Sequence, residues 1–136
     1  MAKFATKFVS TLAPLKDQAS VVGLCGDLGS GKTTFVKGVA VALGITEHVT
    51  SPTFVIEKIY KLPGGKFEHL IHIDAYRLES GKELLQLGWR ELLANPKNLV
   101  FLEWPERVSD ALPVSIRKLQ FSFVDETTRS VKEEKM

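Results

Sequence analysis

The sequence predicts an α/β fold in which helices flank a mixed β-sheet, and three features of the chain lead to this prediction. A short apolar run ends in a glycine-rich turn, a helical repeat of apolar residues follows that turn, and further apolar runs recur along the chain. No internal repeat, low-complexity stretch or linker interrupts the pattern. Residues 1–126 are therefore expected to form one domain.

The first elements follow from apolar periodicity. Residues 20–25 form a short apolar run that stops at Gly26, which is typical of a buried strand. A helix is predicted from Lys32 to Leu43, because apolar residues recur there at helical spacing and Gly44 follows as a stop signal. The glycine-rich turn therefore lies between a strand and a helix.

The second half of the chain adds strands and a further helix. Residues 54–62 and 67–74 are predicted strands joined by a Pro-Gly-Gly turn, which indicates an antiparallel hairpin inserted into the sheet. Ser80 and Glu83 have the spacing of a capping box, and they open a helix that runs to about Ala94. The remaining predictions are a buried strand over 99–102, one or two strands within 113–124, and a polar, frayed tail over 127–136.

Composition narrows the class of protein. The chain has 136 residues, of which 44% are hydrophobic and 25% are charged, as in an ordinary globular domain. Its net charge of +2 is weaker than the basic footprint of a dedicated nucleic-acid binder, so neither DNA nor direct RNA binding is indicated. Cys25 is the only cysteine, and no apolar run has the length of a membrane span or signal peptide. The expected location is a reducing cytoplasm without membrane contact.

The glycine-rich turn has the sequence of a phosphate-binding loop. It fits the pattern G-x-x-x-x-G-K-[ST] at every fixed position, with Gly26, Asp27, Leu28, Gly29, Ser30, Gly31, Lys32 and Thr33. Glycines let backbone N–H groups curl around phosphate oxygens, and the following helix points its positive end at the same oxygens. We expect Lys32 to reach the β- and γ-phosphates and the Thr33 hydroxyl to bind Mg²⁺, as in a P-loop NTPase-type fold.

Two carboxylates are candidates for the metal site. Asp74 follows the apolar run 70–73 and Glu103 follows 99–102, so each acid stands at the end of a predicted strand. P-loop proteins hold Mg²⁺ with an acid in that position. One acid can hold the metal while the other positions or deprotonates water, and the pattern does not rank them. The alternative for either acid is a structural cap or an ion pair with an arginine.

A hydroxyl-rich loop follows the predicted P-loop helix. Thr50, Ser51 and Thr53 surround Pro52, in the region where many P-loop proteins place a segment that senses the γ-phosphate. An ordinary loop at the start of a strand explains the same residues at least as well.

Other polar and aromatic residues are predicted to be structural. His69 and His72 would point to opposite sides of one strand, and no further ligand spacing supports a zinc site. A supporting role behind the Asp74 motif stays open for His72. Cys25 and Trp89 are expected to pack in a strand and an amphipathic helix.

Four ordered motifs together resemble one family. They are Gly-Asp-Leu-Gly-Ser-Gly-Lys-Thr-Thr at 26–34, Thr-Ser-Pro-Thr-Phe at 50–54, His-Ile-Asp-Ala-Tyr-Arg-Leu at 72–78 and Leu-Glu-Trp-Pro-Glu at 102–106. Their order and spacing resemble the TsaE family, the bacterial ATPases of tRNA threonylcarbamoyladenosine biosynthesis. Ser30 stands where that family commonly has alanine, and the N-terminal region is slightly shorter than is usual for it.

The resemblance implies an activity and partners. The family supports formation of the N6-threonylcarbamoyl group on adenosine 37 of tRNAs that read codons starting with A. Its TsaE member does not transfer that group, but binds and hydrolyses ATP with Mg²⁺ while docked on the TsaD–TsaB pair. Contact with tRNA is then indirect, and hydrolysis without partners is expected to be slow.

The resemblance also implies roles by position. The catalytic set is Lys32, Asp74 and Glu103, and the metal set is Thr33, Asp74 and Glu103. The nucleotide-binding residues extend from the loop to Thr34 and Trp104, and the switch-like loop contains Thr50, Ser51 and Thr53. Tyr76 and Arg77 are expected to serve site structure or partner contact.

Two other functions compete with this interpretation. A small-molecule P-loop kinase usually carries an arginine-rich lid, whereas the arginines of this chain are spread singly. The other function is a nucleotide-gated binding module without turnover. Such a module needs no water-activating acid, so the presence of Glu103 argues against it.

Overall fold

The computed structural model describes residues 2–27, 30–46, 57–123 and 129–134. Its strands are β1 (Ser20–Cys25), β2 (Glu57–Lys61), β3 (His69–Asp74), β4 (Asn98–Glu103), β5 (Arg117–Phe123) and β6 (Arg129–Glu134). Its helices are α1 (Ala2–Ser10), α2 (Lys32–Ala42), α3 (Gly81–Gln86) and α4 (Trp89–Leu93), and a 3₁₀ helix spans Pro105–Ala111.

The strands form one mixed sheet in the order β2-β3-β4-β1-β5-β6. The four central strands pair in parallel, and β2 and β6 pair antiparallel at the two edges. This arrangement confirms the predicted α/β sheet and the hairpin formed by β2 and β3. Because β1, β3 and β4 are parallel, the segments that follow them emerge at the same edge of the sheet. None of the helices in the described ranges is long and apolar enough to cross a membrane.

Each face of the sheet has its own hydrophobic core. On β4, Leu99 and Phe101 join the core beneath α1 and α2, whereas Val100 and Leu102 join the core beneath α3 and α4. This alternation is the two-residue period of a strand that is covered on both faces. Phe35 of α2 is the centre of the first core, where its ring packs edge-on against Phe8, Phe101 and Phe121.

The same alternation orients the end of β3. Leu70 belongs to the core beneath α2, and Ile71 and Ile73 belong to the opposite core. His72 and Asp74 therefore lie on the face of the sheet that α2 covers, as do alternate residues of β4 that end in Glu103. The sheet thus directs these polar side chains toward the helix that follows the phosphate-binding loop.

The helix predicted from Ser80 to Ala94 is wrong as one continuous element. Gly88, in a left-handed conformation with φ of 82°, separates α3 from α4. Ser80 occupies the N-cap of α3 but makes no side-chain capping bond. Instead, the Gly81 N–H donates to Asp110 Oδ1 at 2.8 Å, so a residue of the 3₁₀ helix supplies the cap.

The predicted polar tail over 127–136 is also wrong in its central part, because residues 129–134 form β6. The guanidinium of Arg117 on β5 makes a bidentate pair with the Glu133 carboxylate. Nε donates to Oε2 at 2.7 Å, and Nη2 donates to Oε1 at 2.8 Å. Val131 packs on the core beneath α1 and α2. An edge strand needs few apolar residues, so its composition resembles a tail.

Candidate nucleotide-binding and catalytic site

The phosphate-binding loop connects β1 to α2, as the sequence predicts. Gly26 follows β1 with φ of 139°, and Gly31 caps α2 with φ of 105°. Both values lie in the region that glycine adopts most readily. Leu28 and Gly29 lie outside the described residues. Thr33 and Thr34 follow Lys32 in the first turn of α2.

The backbone at Gly26 lies too close to its neighbours for a side chain. A Cβ at this position would lie 2.6 Å from the Phe121 carbonyl oxygen and 2.9 Å from Ser30 Oγ, so only glycine is accommodated. Ser30 Oγ is buried and has no hydrogen-bond partner among the residues that the structure describes. An unpaired buried hydroxyl beside Gly26 is suited to donating to a phosphate oxygen.

Lys32 is a buried cation, with 4% of its surface exposed. Its Nζ donates to the Gly26 carbonyl oxygen at 2.5 Å and lies 4.0 Å from the centroid of the Trp104 ring. Burial lowers the pKa of Lys32, and the negative charges of Glu103 and Asp74 oppose that effect. The lysine is therefore held at the loop with both acids close enough to act on its charge.

Asp74 and Glu103 are neighbours at the ends of parallel strands, because the register of β3 and β4 pairs them. Asp74 is half-buried, and its Oδ1 accepts a hydrogen bond from the Tyr76 N–H at 3.0 Å. Burial raises the pKa of Asp74 above its usual value, and the bond from Tyr76 works in the opposite direction. The charge of Glu103 raises this pKa further, whereas Lys32 lowers it.

Glu103 is more deeply buried than Asp74, with 4% of its surface exposed. Its Oε2 lies 2.6 Å from Nε2 of His72, whose side chain is completely buried. The sequence assigned His72 to packing and left a supporting role open, and the structure places it against the candidate catalytic acid. The signal for this contact was its position two residues before Asp74, which puts both side chains on one face of β3.

Trp104 directly follows Glu103 in a conformation that is unusual for a large side chain, with φ of 60°. Its backbone N–H donates to the Leu24 carbonyl oxygen at 3.2 Å, which ties Trp104 to the end of β1. The Trp104 ring lies 5.0 Å from the Tyr76 ring, and the Arg107 guanidinium lies 5.4 Å from the Tyr76 ring centroid. Trp104 thus links the Asp74 motif to Lys32.

Oxygen donors at this site are of the kind that Mg²⁺ binds. Among the described residues, no group of three or more His, Cys, Asp or Glu side chains could hold a metal ion. Mg²⁺ commonly takes only one or two protein oxygens and completes its shell with water and phosphate oxygens. Thr33, Asp74 and Glu103 are oxygen donors suited to that role.

The structure thus brings together Lys32, Asp74, Glu103 and Trp104 from separate motifs. Their proposed chemical roles remain predictions. The predicted switch-like residues Thr50, Ser51 and Thr53 lie outside the described residues.

Comparison with known proteins decides the family. Residues 1–133 match the family described as "Threonylcarbamoyl adenosine biosynthesis protein TsaE". The chain belongs to the TsaE family. One named member, from Treponema pallidum, is 38% identical over 82% of this chain and 79% of its own length. Another, from Rickettsia typhi, is 34% identical over 96% of this chain and 87% of its own length. A Bacillus subtilis member is 41% identical over 79% of this chain and 65% of its own length. All three are named tRNA threonylcarbamoyladenosine biosynthesis protein TsaE.

A solved structure supports the fold of this TsaE-family chain. The crystal structure of the Bacillus protein YdiB superposes with a TM-score of 0.69 and 27% sequence identity. The superposition covers 96% of this chain and 78% of YdiB. Together with the strand–loop–helix order around Gly26, this likeness confirms the P-loop NTPase-type fold.

Proposed function

We propose that this chain is the ATP-binding and ATP-hydrolysing component of the machinery that forms N6-threonylcarbamoyladenosine at position 37 of tRNAs that read codons starting with A. It acts in the cytoplasm on the TsaD–TsaB complex, is linked to tRNA indirectly through that complex and does not transfer the group itself. Membership of the TsaE family supports the biosynthetic role. The convergence of Lys32, Asp74 and Glu103 beside the phosphate-binding loop supports the ATPase role.

Each residue has a proposed task. Lys32 gives up its hydrogen bond to the Gly26 carbonyl and donates to phosphate oxygens instead. Its positive charge offsets the negative charge of those oxygens. Thr33 and Asp74 would hold Mg²⁺, which when bound neutralises phosphate charge. Glu103 orients the attacking water and accepts its proton. A buried carboxylate at the carboxyl end of β4 is suited to this task. Trp104 covers the lysine and limits access of bulk water.

The first experiment measures binding. Calorimetry of the whole chain with ATP, ADP and GTP in the presence of Mg²⁺ should show adenine-nucleotide binding. Lys32→Ala should abolish that binding or weaken it at least about tenfold, because the buried ammonium is lost. Lys37→Ala is the matched control, since Lys37 is exposed on the same helix. An absence of nucleotide binding by the natural chain would contradict the proposal.

The second experiment measures turnover. Addition of the TsaD–TsaB pair should accelerate phosphate release from a slow basal rate. Brisk hydrolysis by the isolated chain would contradict dependence on the partners. Transfer of phosphate to a nucleoside or small metabolite would instead identify a kinase.

A further inference from the structure

The contact between His72 and Glu103 is a buried link between neighbouring strands. The register pairs His72 with Phe101 and Asp74 with Glu103, so the imidazole reaches the carboxylate one pleat further along β4. Nε2 and Oε2 are 2.6 Å apart, which is hydrogen-bond distance. The His72 side chain has no exposed surface, and only 6% of the Glu103 side chain is exposed.

The surroundings of the ring select its tautomer. Nδ1 of His72 is buried and has no hydrogen-bond partner in the described part of the chain. A neutral ring protonated on Nε2 leaves only a lone pair unsatisfied at Nδ1. The Nδ1–H tautomer would instead leave a buried N–H without an acceptor among the residues that the structure describes. Nε2 is therefore the ring atom placed to donate to Oε2 of Glu103.

This bond limits how the carboxylate can turn. The last torsion of a glutamate side chain is broad, so a buried carboxylate needs an external contact to fix its plane. His72 supplies that contact at Oε2. Among the hydrogen bonds of the described residues, none engages Oε1 of Glu103. Oε2 of Glu103 is thus held by His72, and Oε1 is available for a contact with another group.

We propose that His72 is a positioning residue: its Nε2–H anchors Oε2 of Glu103 and thereby reserves Oε1 for the attacking water. The inference rests on the proposed function, because it assigns the orientation of the acid that the hydrolysis requires. His72 does not touch nucleotide or water in this scheme. Its contribution is to keep the Glu103 carboxylate in one orientation before the partner complex stimulates turnover.

The kinetic test separates positioning from packing. His72→Leu removes the donor, whereas His72→Gln retains an N–H group at a similar distance from the backbone. In the TsaD–TsaB complex, His72→Leu should lower kcat about 10- to 100-fold, which is the usual effect of losing a contact that supports a functional residue. The KM for ATP and the calorimetric Kd should stay within about twofold of the values of the natural chain. His72→Gln should restore kcat to within about threefold of the natural value. His69→Leu is the matched control on the other face of the same strand, with kcat unchanged.

Two kinetic outcomes would overturn the inference. Equal kcat values for the leucine and glutamine variants would mean that the donor is unimportant. A rise in Kd or KM in proportion to the loss of kcat would mean that His72 only maintains the fold of the nucleotide site.

A spectroscopic arm does not depend on hydrolysis. Long-range ¹H–¹⁵N spectra of the His72 ring should show the proton on Nε2, and this proton should lose its downfield shift and slow exchange in Glu103→Ala. A ring protonated on Nδ1 overturns the inference. If the natural chain in its complex failed to hydrolyse ATP, the proposed function would fail, and the role of Oε1 in holding water would fail with it. The spectrum would still decide whether His72 anchors Glu103.

Discussion

The two ends of strands β3 and β4 use buried polar residues in different ways. At the amino end, Asn98 has 4% of its surface exposed, and its side-chain amide donates to the Leu92 carbonyl oxygen at 2.9 Å. Its backbone N–H donates to the Asn95 carbonyl oxygen at 3.0 Å. These bonds tie the strand to the preceding helix. Asn98 is thus a local structural cap of the kind that a buried amide forms in most folded proteins.

The carboxyl end of the same strands is less completely satisfied. Ser30 Oγ and His72 Nδ1 are buried and lack hydrogen-bond partners within the described ranges. Burial lowers the pKa of Lys32 and raises the pKa of Asp74. Unpaired and perturbed groups reduce stability, and they cluster where a protein needs reactive or ligand-binding side chains. The contrast is consistent with the proposed function, in which the carboxyl end serves chemistry and the amino end serves stability.

The strongest test of this contrast exchanges one carboxylate at each end. Glu103→Gln should lower partner-stimulated kcat by about 100-fold or more, because the amide cannot accept the proton of water. ATP affinity by calorimetry should stay within a few-fold. Glu68→Gln, on an exposed residue just before β3, should leave kcat unchanged. Equal activity of the two variants would show that Glu103 is not the acid that hydrolysis requires.

A second substitution distinguishes the two acids at the carboxyl end. Asp74→Asn should raise the Mg²⁺ concentration for half-maximal phosphate release about tenfold, as expected for loss of a group that supports the metal. The Asn side chain can still accept the Tyr76 N–H, so the local backbone should keep its conformation. An unchanged Mg²⁺ requirement would transfer the metal role to Glu103 and Thr33.

A third substitution tests the amino end alone. Asn98→Ala removes the donor to the Leu92 carbonyl, so the free energy of unfolding should fall by about 1 kcal/mol in urea titrations. The kcat of the folded protein should not change. Lys97→Ala, at the exposed neighbour, should alter stability by less than about 0.5 kcal/mol. A loss of kcat in Asn98→Ala would show that the two ends are coupled.

The smallest expected effect is a pH dependence of stability. The folded-state pKa of Asp74 is raised, so its ionisation opposes folding at neutral pH, and this cost disappears as pH falls through that pKa toward the ordinary value of 3.8. Asp74→Asn should therefore raise Tm at neutral pH and approach the natural Tm in acid. The same Tm difference at both pH values would show that burial of the charge is not its cause.

Local patterns were sufficient for several elements because their determinants are close in sequence. The apolar run before Gly26 and the helical repeat after Lys32 predicted β1, the loop and α2. The motifs around Asp74 and Glu103 predicted acids at the ends of strands, and the register of β3 and β4 makes those acids neighbours. The sequence did not predict the left-handed break at Gly88. It also did not predict that the Gly81 N–H donates to Asp110, because Asp110 is distant in the chain.

The sequence by itself determined the α/β class, the phosphate-binding loop and the family, since each depends on residue types at short, fixed spacing. Only the tertiary structure decided that residues 129–134 join the sheet, because β6 is held by pairing with β5 and by the distant Arg117. Only the tertiary structure joined His72 to Glu103, across two strands and 31 positions of sequence. Hydrogen bonds and buried charges depend on distances in space, and apolar periodicity along the chain does not report those distances.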